Sequence, residues 1–430
     1  MRIKSISVKK LFGIFDHEIL FNEDITILIG ENGLGKTVIL EMLNNIFKGR
    51  FHEVTEVSFD RFNITFENNV AWSFRVTNNQ LQVRETTKSS NAWKDLHSSH
   101  SKYRTYKDRV KSIEFHSTSN FDRHVKRIKI NPEDEIYEDF FFQEVFGKSR
   151  GKSKSNPHWF REIVGNIEID LIETQRILTS YDDDNEKYRS TISDCAQNLQ
   201  EKLKSYSSES QKITAELDSS FPNRIIKSIN SSVPLNYEEI NKELFKINER
   251  RKELTNVGLL TKLNIEDIIN LKRSDDSILR FINLYIQDSK KKLEPYNKIY
   301  RKLSLFINIV NSRLKHKKIL ACLENGFKIQ STVLKDSNSK PLEFHFNKLS
   351  SGEQHEIILF YKLIFLYKNK SLVLLDEPEL SLHISWQNNF INDIKEIIIE
   401  NELTVLIATH SPDIIGEHWN LTQELHGVEG

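Results

Sequence analysis

The sequence predicts an α/β fold: a head of mixed sheet and helices, interrupted by an inserted basic segment and a helical arm. Three observations predict it. A glycine-rich loop sits between an apolar run and a helical pattern near the start. Two short apolar runs late in the chain, Lys370 to Leu375 and Thr404 to Ala408, each lead into polar residues. Between these regions the chain is first polar and basic, then helical in its spacing.

The loop is Gly30-Glu31-Asn32-Gly33-Leu34-Gly35-Lys36-Thr37, which fits G-x-x-x-x-G-K-[ST]. Ile25-Thr26-Ile27-Leu28-Ile29 before it has the profile of a buried strand. Val38 to Phe47 after it has apolar residues at helical spacing. Strand, loop and helix are the order that phosphate binding needs. Glycines let backbone N–H groups close around phosphate oxygens, and the helix N-terminus adds a favourable dipole. Asn32, Gly33, Gly35, Lys36 and Thr37 are the candidates for holding a nucleotide, ATP. Lys36 is expected on the β- and γ-phosphates and Thr37 on Mg²⁺.

The rest of the first lobe, residues 1–85, reads as strands at Arg2 to Val8, Val54 to Phe59, Ile64 to Phe66 and Val70 to Val76. Residues 86–165 read as an insertion. Lys88 to Lys129 carries eleven Lys/Arg against four acids, with Trp93, Tyr103, Tyr106, Phe115 and Phe121 interleaved. A second basic loop spans 148–154. Such a surface suits nucleic acid, through phosphate neutralisation and base stacking. It equally suits a solvated face balanced by the acids from Glu133 to Asp139. Residues 166–180 return to the head along the alternating Ile167, Ile169 and Leu171.

Residues 181–316 read as a helical arm. Tyr237, Ile240, Leu244 and Ile247 fall at three-four spacing, as do Ile299, Leu303, Phe306 and Val310. Pro295 is expected to end or kink a helix between Leu284 and Ile299. Uninterrupted heptads are few, so the expected arm is a short coiled coil, a globular or stubby hairpin, the other reading being a helical subdomain packed on the head. Asp182-Asp183-Asp184 reads as a solvated helix start. Residues 317–430 carry the second lobe.

In that lobe, the apolar run through Leu372-Val373-Leu374-Leu375 ends in Asp376-Glu377. Asp376 is expected to hold Mg²⁺, and Glu377 stands where a base could polarise an attacking water. Leu349-Ser350-Ser351-Gly352-Glu353-Gln354 lies upstream, and Thr409-His410 ends the run from Thr404. Phosphate loop, LSSGEQ, DEP and TH, in that order, resemble the ABC-type ATPase head. The resemblance implies that Gln175 is the Q-loop glutamine, joining Mg²⁺ and the water. It makes Ser381-Leu382-His383 the D-loop and His410 the switch histidine that senses the γ-phosphate. It also implies a homodimer, a head-to-head ATP sandwich in which Ser350 and Gly352 contact the γ-phosphate bound by the other subunit.

GENGLGKT, ETQR, LSSGEQHE, DEPELSLHISWQ and ATHSP together resemble the ATPase subunits of bacterial Septu anti-phage systems and the ATPases encoded with type I retrons. That resemblance implies a regulator partnered with a separate HNH nuclease. With twenty residues after His410, no toprim nuclease domain of the overcoming-lysogenization type is expected. Two other readings remain open: a DNA-repair or chromosome-maintenance ATPase acting directly on DNA, and a nucleotide-gated scaffold with little turnover.

The 430 residues carry 61 Lys/Arg and 61 Asp/Glu, so net charge does not select a partner. Two cysteines, Cys195 and Cys322, exclude a disulfide framework and suit a reducing cytosol. The start lacks a signal-peptide apolar stretch. The run Ile357 to Tyr367 is too short to span a bilayer and is expected to be a buried helix behind LSSGEQ. A cytoplasmic protein with no membrane contact is expected.

Overall fold

The computed structural model describes residues 2–87, 92–98, 156–173, 178–182, 187–230, 236–260 and 276–427. The loop 148–154, Gln175 and nearly all of the basic stretch 88–129 lie outside the described residues.

The strands are β1 (Ile3–Leu11), β2 (Phe15–Leu20), β3 (Ile25–Ile29), β4 (Arg61–Phe66), β5 (Ala71–Thr77), β6 (Gln80–Glu85), β7 (Lys94–Asp95), β8 (Ile169–Ile172), β9 (Leu178–Asp182), β10 (Lys187–Ser190), β11 (Lys317–Cys322), β12 (Gly326–Lys335), β13 (Pro341–Phe344), β14 (Leu372–Asp376), β15 (Thr404–Ala408) and β16 (Thr422–Glu424). The longer helices are α1 (Lys36–Phe47), α2 (His158–Asn166), α3 (Thr191–Ile229), α4 (Tyr237–Asn256), α5 (Asp276–Leu293), α6 (Tyr296–Arg313), α7 (Ser351–Tyr361) and α8 (Phe390–Asn401).

A parallel sheet in the order β16-β3-β15-β14-β8 forms the centre. Its three inner strands, β3, β15 and β14, are nearly continuous apolar runs because both faces are covered. The side chains divide by the two-residue period. Leu28, Leu372, Leu374, Leu406 and Ala408 face one core, together with Ile39, Leu43 and Ile46 of α1. Ile27, Val373, Leu375, Val405 and Ile407 face the other, together with Ile357, Phe360 and Ile394 of α7 and α8. The run behind LSSGEQ is thus the buried helix expected; it passes into a π-helical turn at Lys362–Leu366.

A second, antiparallel sheet in the order β2-β1-β4-β5-β6-β7 closes over α1. Its strands bury alternate residues, as in Phe62, Ile64 and Phe66. The strand expected at Val54 to Phe59 is absent. Phe51–Thr55 is a helical turn, because Phe51 and Val54, three apart, are both buried on one side. Two parts of the 86–165 stretch also lie on this sheet. Lys94 and Asp95 pair with Val83 and Gln82. Phe160 of α2 is fully buried, with its ring 4.9 Å from that of Trp72.

The helical arm expected for 181–316 is present and longer than a stubby hairpin: α3 alone has 39 residues and spans about 58 Å at 1.5 Å per residue. The antiparallel pair β9 and β10 precedes it. α5 runs antiparallel to the distal half of α3. Arg224 binds Asp288 with both terminal nitrogens, at 2.5 and 2.7 Å, and Lys292 binds Asp218 at 2.9 Å. Leu293 ends α5 and Tyr296 begins α6, so Pro295 breaks the helix as expected. No described helix is long and apolar enough to cross a membrane.

Candidate nucleotide site

Register brings the motifs together. In the parallel sheet Leu28 pairs with Ala408, and Ala408 pairs with Asp376. The C-terminal ends of β3, β15 and β14 therefore align. The loops that leave them, carrying Gly30–Thr37, Thr409–His410 and Glu377, open on the same edge of the sheet. Ligands bind at such an edge in α/β folds.

Gly33 and Gly35 both have φ of +87°, a left-handed conformation that side chains disfavour. At Gly35 a Cβ would also meet Leu11 at 2.5 Å. Asn32 and Gly33 are exposed at the loop's tip. Lys36 is buried at the first position of α1, and its ammonium donates to the carbonyls of Gly30 and Glu31 at 2.8 and 3.0 Å. Burial lowers its pKa, while the charges of Glu377, Asp376 and Glu379 pull it back up. The Thr37 hydroxyl donates to Asp376 at 2.9 Å.

Burial raises the pKa of Asp376 most. The Thr37 hydrogen bond and Lys36 oppose the rise; Glu377 and Glu379 add to it. Glu41, one turn into α1, is raised by burial and then by Asp376 and Glu173. Carboxylates thus outnumber ammonium groups here, and a divalent cation would relieve the excess. A hydroxyl and a carboxylate oxygen are the hard donors Mg²⁺ takes, with substrate phosphates and water completing its shell. Among the described residues, no cluster of three or more His, Cys, Asp and Glu forms an all-protein metal cage.

Glu377 has φ 40° and ψ 57°, rare for a residue other than glycine, and its N–H donates to Ala408 at 2.9 Å. Its carboxylate lies 3.5 Å from His410 Nε2. Two residues on, Glu379 Oε1 accepts from the Thr409 hydroxyl at 2.6 Å and from the His410 backbone N–H at 2.8 Å. Sequence reasoning passed over Glu379; its signal was a third carboxylate in Asp-Glu-Pro-Glu. It also passed over His17, whose Nε2 reaches the Leu34 carbonyl at 2.9 Å and which no local motif marks.

Ser350 and Gly352 begin α7, with Ser350 exposed. Ser350 and Glu353 form a capping box: Glu353 N–H donates to Ser350 Oγ at 3.3 Å, and Ser350 N–H to Glu353 Oε2 at 2.7 Å. Lys317 holds Glu353 from β11 at 2.9 Å. His383 stands beside Trp386, ring centres 5.4 Å apart. The Q-loop glutamine expected at Gln175 lies outside the described residues, two positions past Glu173, which follows β8.

Phosphate loop, Thr37–Asp376 bond and strand-end carboxylates agree with a family comparison, in which the description "AAA ATPase domain" matches residues 1–415. The chain belongs to the AAA ATPase domain family. That family implies nucleotide binding with a divalent metal. Over 160 residues this AAA ATPase is 29% identical to protein ea59 of Escherichia phage lambda, covering 34% of this chain and 29% of that protein. Over 72 residues it is 33% identical to a probable iron chelatin transport ATP-binding protein of Helicobacter pylori, covering 17% of this chain and 27% of that one. The chain therefore spans under a third of these curated relatives. Among solved structures, the SMC head domain from Thermotoga maritima is 11% identical, with 99% of this chain and 94% of that one covered and a TM-score of 0.38. A Pyrococcus furiosus Smc head domain with an extended coiled coil, bound to the C-terminal domain of ScpA, is 15% identical, with 96% and 90% covered and a TM-score of 0.36.

Proposed function

We propose that this AAA ATPase binds and hydrolyses MgATP between two copies of its head, and that the pair regulates a separate HNH nuclease in anti-phage defence. The Thr37–Asp376 hydrogen bond carries the nucleotide part, because it joins the phosphate loop to the carboxylate strand at the edge where Glu377 and His410 meet. Lys36 and the amides of Gly33 and Gly35 hold the phosphates. Thr37 and Asp376 hold the metal, with Gln175 as a third candidate. A bound metal would supply neutralisation of the phosphate charge. Glu377 takes the water's proton, and His410 orients the γ-phosphate.

Exposed apolar side chains support a covered face beside the site. Leu380, next to Glu379, is 68% exposed, and Phe12, whose ring lies 3.3 Å from the Cβ position of Gly35, is 45% exposed. A second head presenting Ser350 and Gly352 would cover them. The defence role is supported by the resemblance of the motifs GENGLGKT, LSSGEQHE, DEPELSLHISWQ and ATHSP to Septu and retron ATPases.

Calorimetric titration of MgATP into parent and Lys36→Ala tests the nucleotide reading. Binding is expected in the parent alone; equal affinity in both would overturn it. Co-purification with the HNH protein encoded beside the gene tests the defence reading, and the lack of any such neighbour or complex counts against it. One observation is consistent with the DNA-maintenance alternative: α3 is longer than the short arm that its few heptads predict. On that reading duplex DNA alone raises ATP turnover, with no partner present.

A further inference from the structure

A loop that binds phosphate must turn its N–H groups toward the anion, and its carbonyls therefore turn away. A carbonyl turned inward to the protein needs a donor there, because an unpaired buried acceptor is costly. In Gly30–Thr37 this concerns Leu34, between the two left-handed glycines. Leu34 is 6% exposed, and its carbonyl meets the Nε2 of His17 at 2.9 Å. His17 is 4% exposed on β2 and stacks flat on Phe15, ring centres 5.7 Å apart and planes 16° apart.

We propose that His17 is a positioning residue that holds the phosphate loop in its nucleotide-binding shape, by donating Nε2–H to the Leu34 carbonyl. This rests on the MgATP reading above and adds a residue that no phosphate-loop motif contains. It accounts for a buried polar ring on a strand that otherwise buries Ile19. The carbonyl fixes the tautomer: a neutral imidazole has one N–H, and it must sit on Nε2 to serve Leu34. Burial holds His17 below the ordinary histidine range, His426 pushing the same way, while the Leu34 hydrogen bond and Asp16 oppose. The ring is therefore neutral at pH 7. The C-terminal segment braces the loop's other end, with Leu425 N–H donating to the Ile29 carbonyl at 2.9 Å.

Two substitutions separate the donor from the ring. His17→Phe keeps the stack on Phe15 and removes the donor. His17→Gln places an amide N–H near the Nε2 position and removes the ring. With the full chain and MgATP, His17→Phe is expected to weaken binding on the order of tenfold, the effect of losing one buried partner. His17→Gln is expected to stay within about threefold of the parent. Parent-like binding by His17→Phe, or equal losses in both variants, would overturn the inference. Lys36→Ala is measured alongside. If it binds as the parent does, the nucleotide reading itself fails. If it loses binding while His17→Phe keeps it, only the role of His17 fails. Nitrogen NMR of the parent reads the tautomer without nucleotide and without any variant: Nε2–H is expected, and Nδ1–H would sink the proposal.

Discussion

The Thr37 hydroxyl donates to the Asp376 carboxylate at 2.9 Å, across 339 positions of chain. β15 makes this possible. It lies between β3 and β14, with Ala408 in register with both Leu28 and Asp376. A parallel sheet lines up strand ends, so two loops far apart in sequence emerge together.

Thr37→Val keeps the shape of the helix start and removes the oxygen donor. The expected outcome is a loss of Mg²⁺-dependent ATP affinity on the order of tenfold, with metal-free affinity nearly unchanged, since the hydroxyl proposed as a metal ligand is replaced by a methyl. Calorimetry with Mg²⁺ and with chelator checks it. An equal loss in both conditions would mean that Thr37 does not act through the metal.

Glu377→Gln keeps the volume and removes the carboxylate proposed as the base. Turnover should fall by about a hundredfold or more, with bound ATP retained and the head pair longer-lived by light scattering. Hydrolysis at the parental rate would point to another base, His410 being nearest.

Arg313 tests the second lobe. Its guanidinium is 5% exposed, lies 2.6 Å from Glu356 and also binds Asp393. Burial pushes the Glu356 carboxyl up to about 8, with Arg313 pulling the other way, and burial also raises Asp393. A carboxyl raised on folding binds its proton more tightly in the native state. Its effect on stability is neutral below the ordinary glutamate range and unfavourable as pH climbs toward 8. Arg313→Met removes the counter-charge, so unfolding free energy should fall by about 3–5 kcal/mol at pH 8 and by less at pH 5. Urea midpoints at the two pH values decide; a pH-independent loss would show that packing over Phe360, not charge, is what Arg313 supplies.

The basic segment carries its own test. If residues 88–129 touch nucleic acid, reversing Lys126, Arg127 and Lys129 together should weaken oligonucleotide binding and flatten its salt dependence. ATP binding should be unchanged, because these residues lie outside every nucleotide motif. Fluorescence anisotropy across a salt series reads both slopes, and an unchanged slope would favour pairing with an acidic partner protein.

Much of the fold around the candidate site was legible because its code is local. Ile25–Ile29, Leu372–Asp376 and Thr404–Ala408 are short apolar runs that only a doubly covered sheet can use. Gly33 and Gly35 mark left-handed turns, and Pro295 marks a helix break. The turn at Phe51–Thr55 was not legible, because apolar residues three apart also fit a frayed strand pattern. Nor was the length of α3, whose polar sequence shows too few heptads and which is held by partners on α5.

The sequence by itself determined the Gly30–Thr37 loop, the strands that carry it and Asp376, and the residue types available at their ends. Periodicity and glycine placement act over a few residues, so they can be read without a partner. Tertiary structure alone decided that Glu379 anchors Thr409 and His410 and that His17 reaches Leu34. Those contacts depend on how strands and loops pack, and a hydrogen bond is set by final distance and angle, not by residue type.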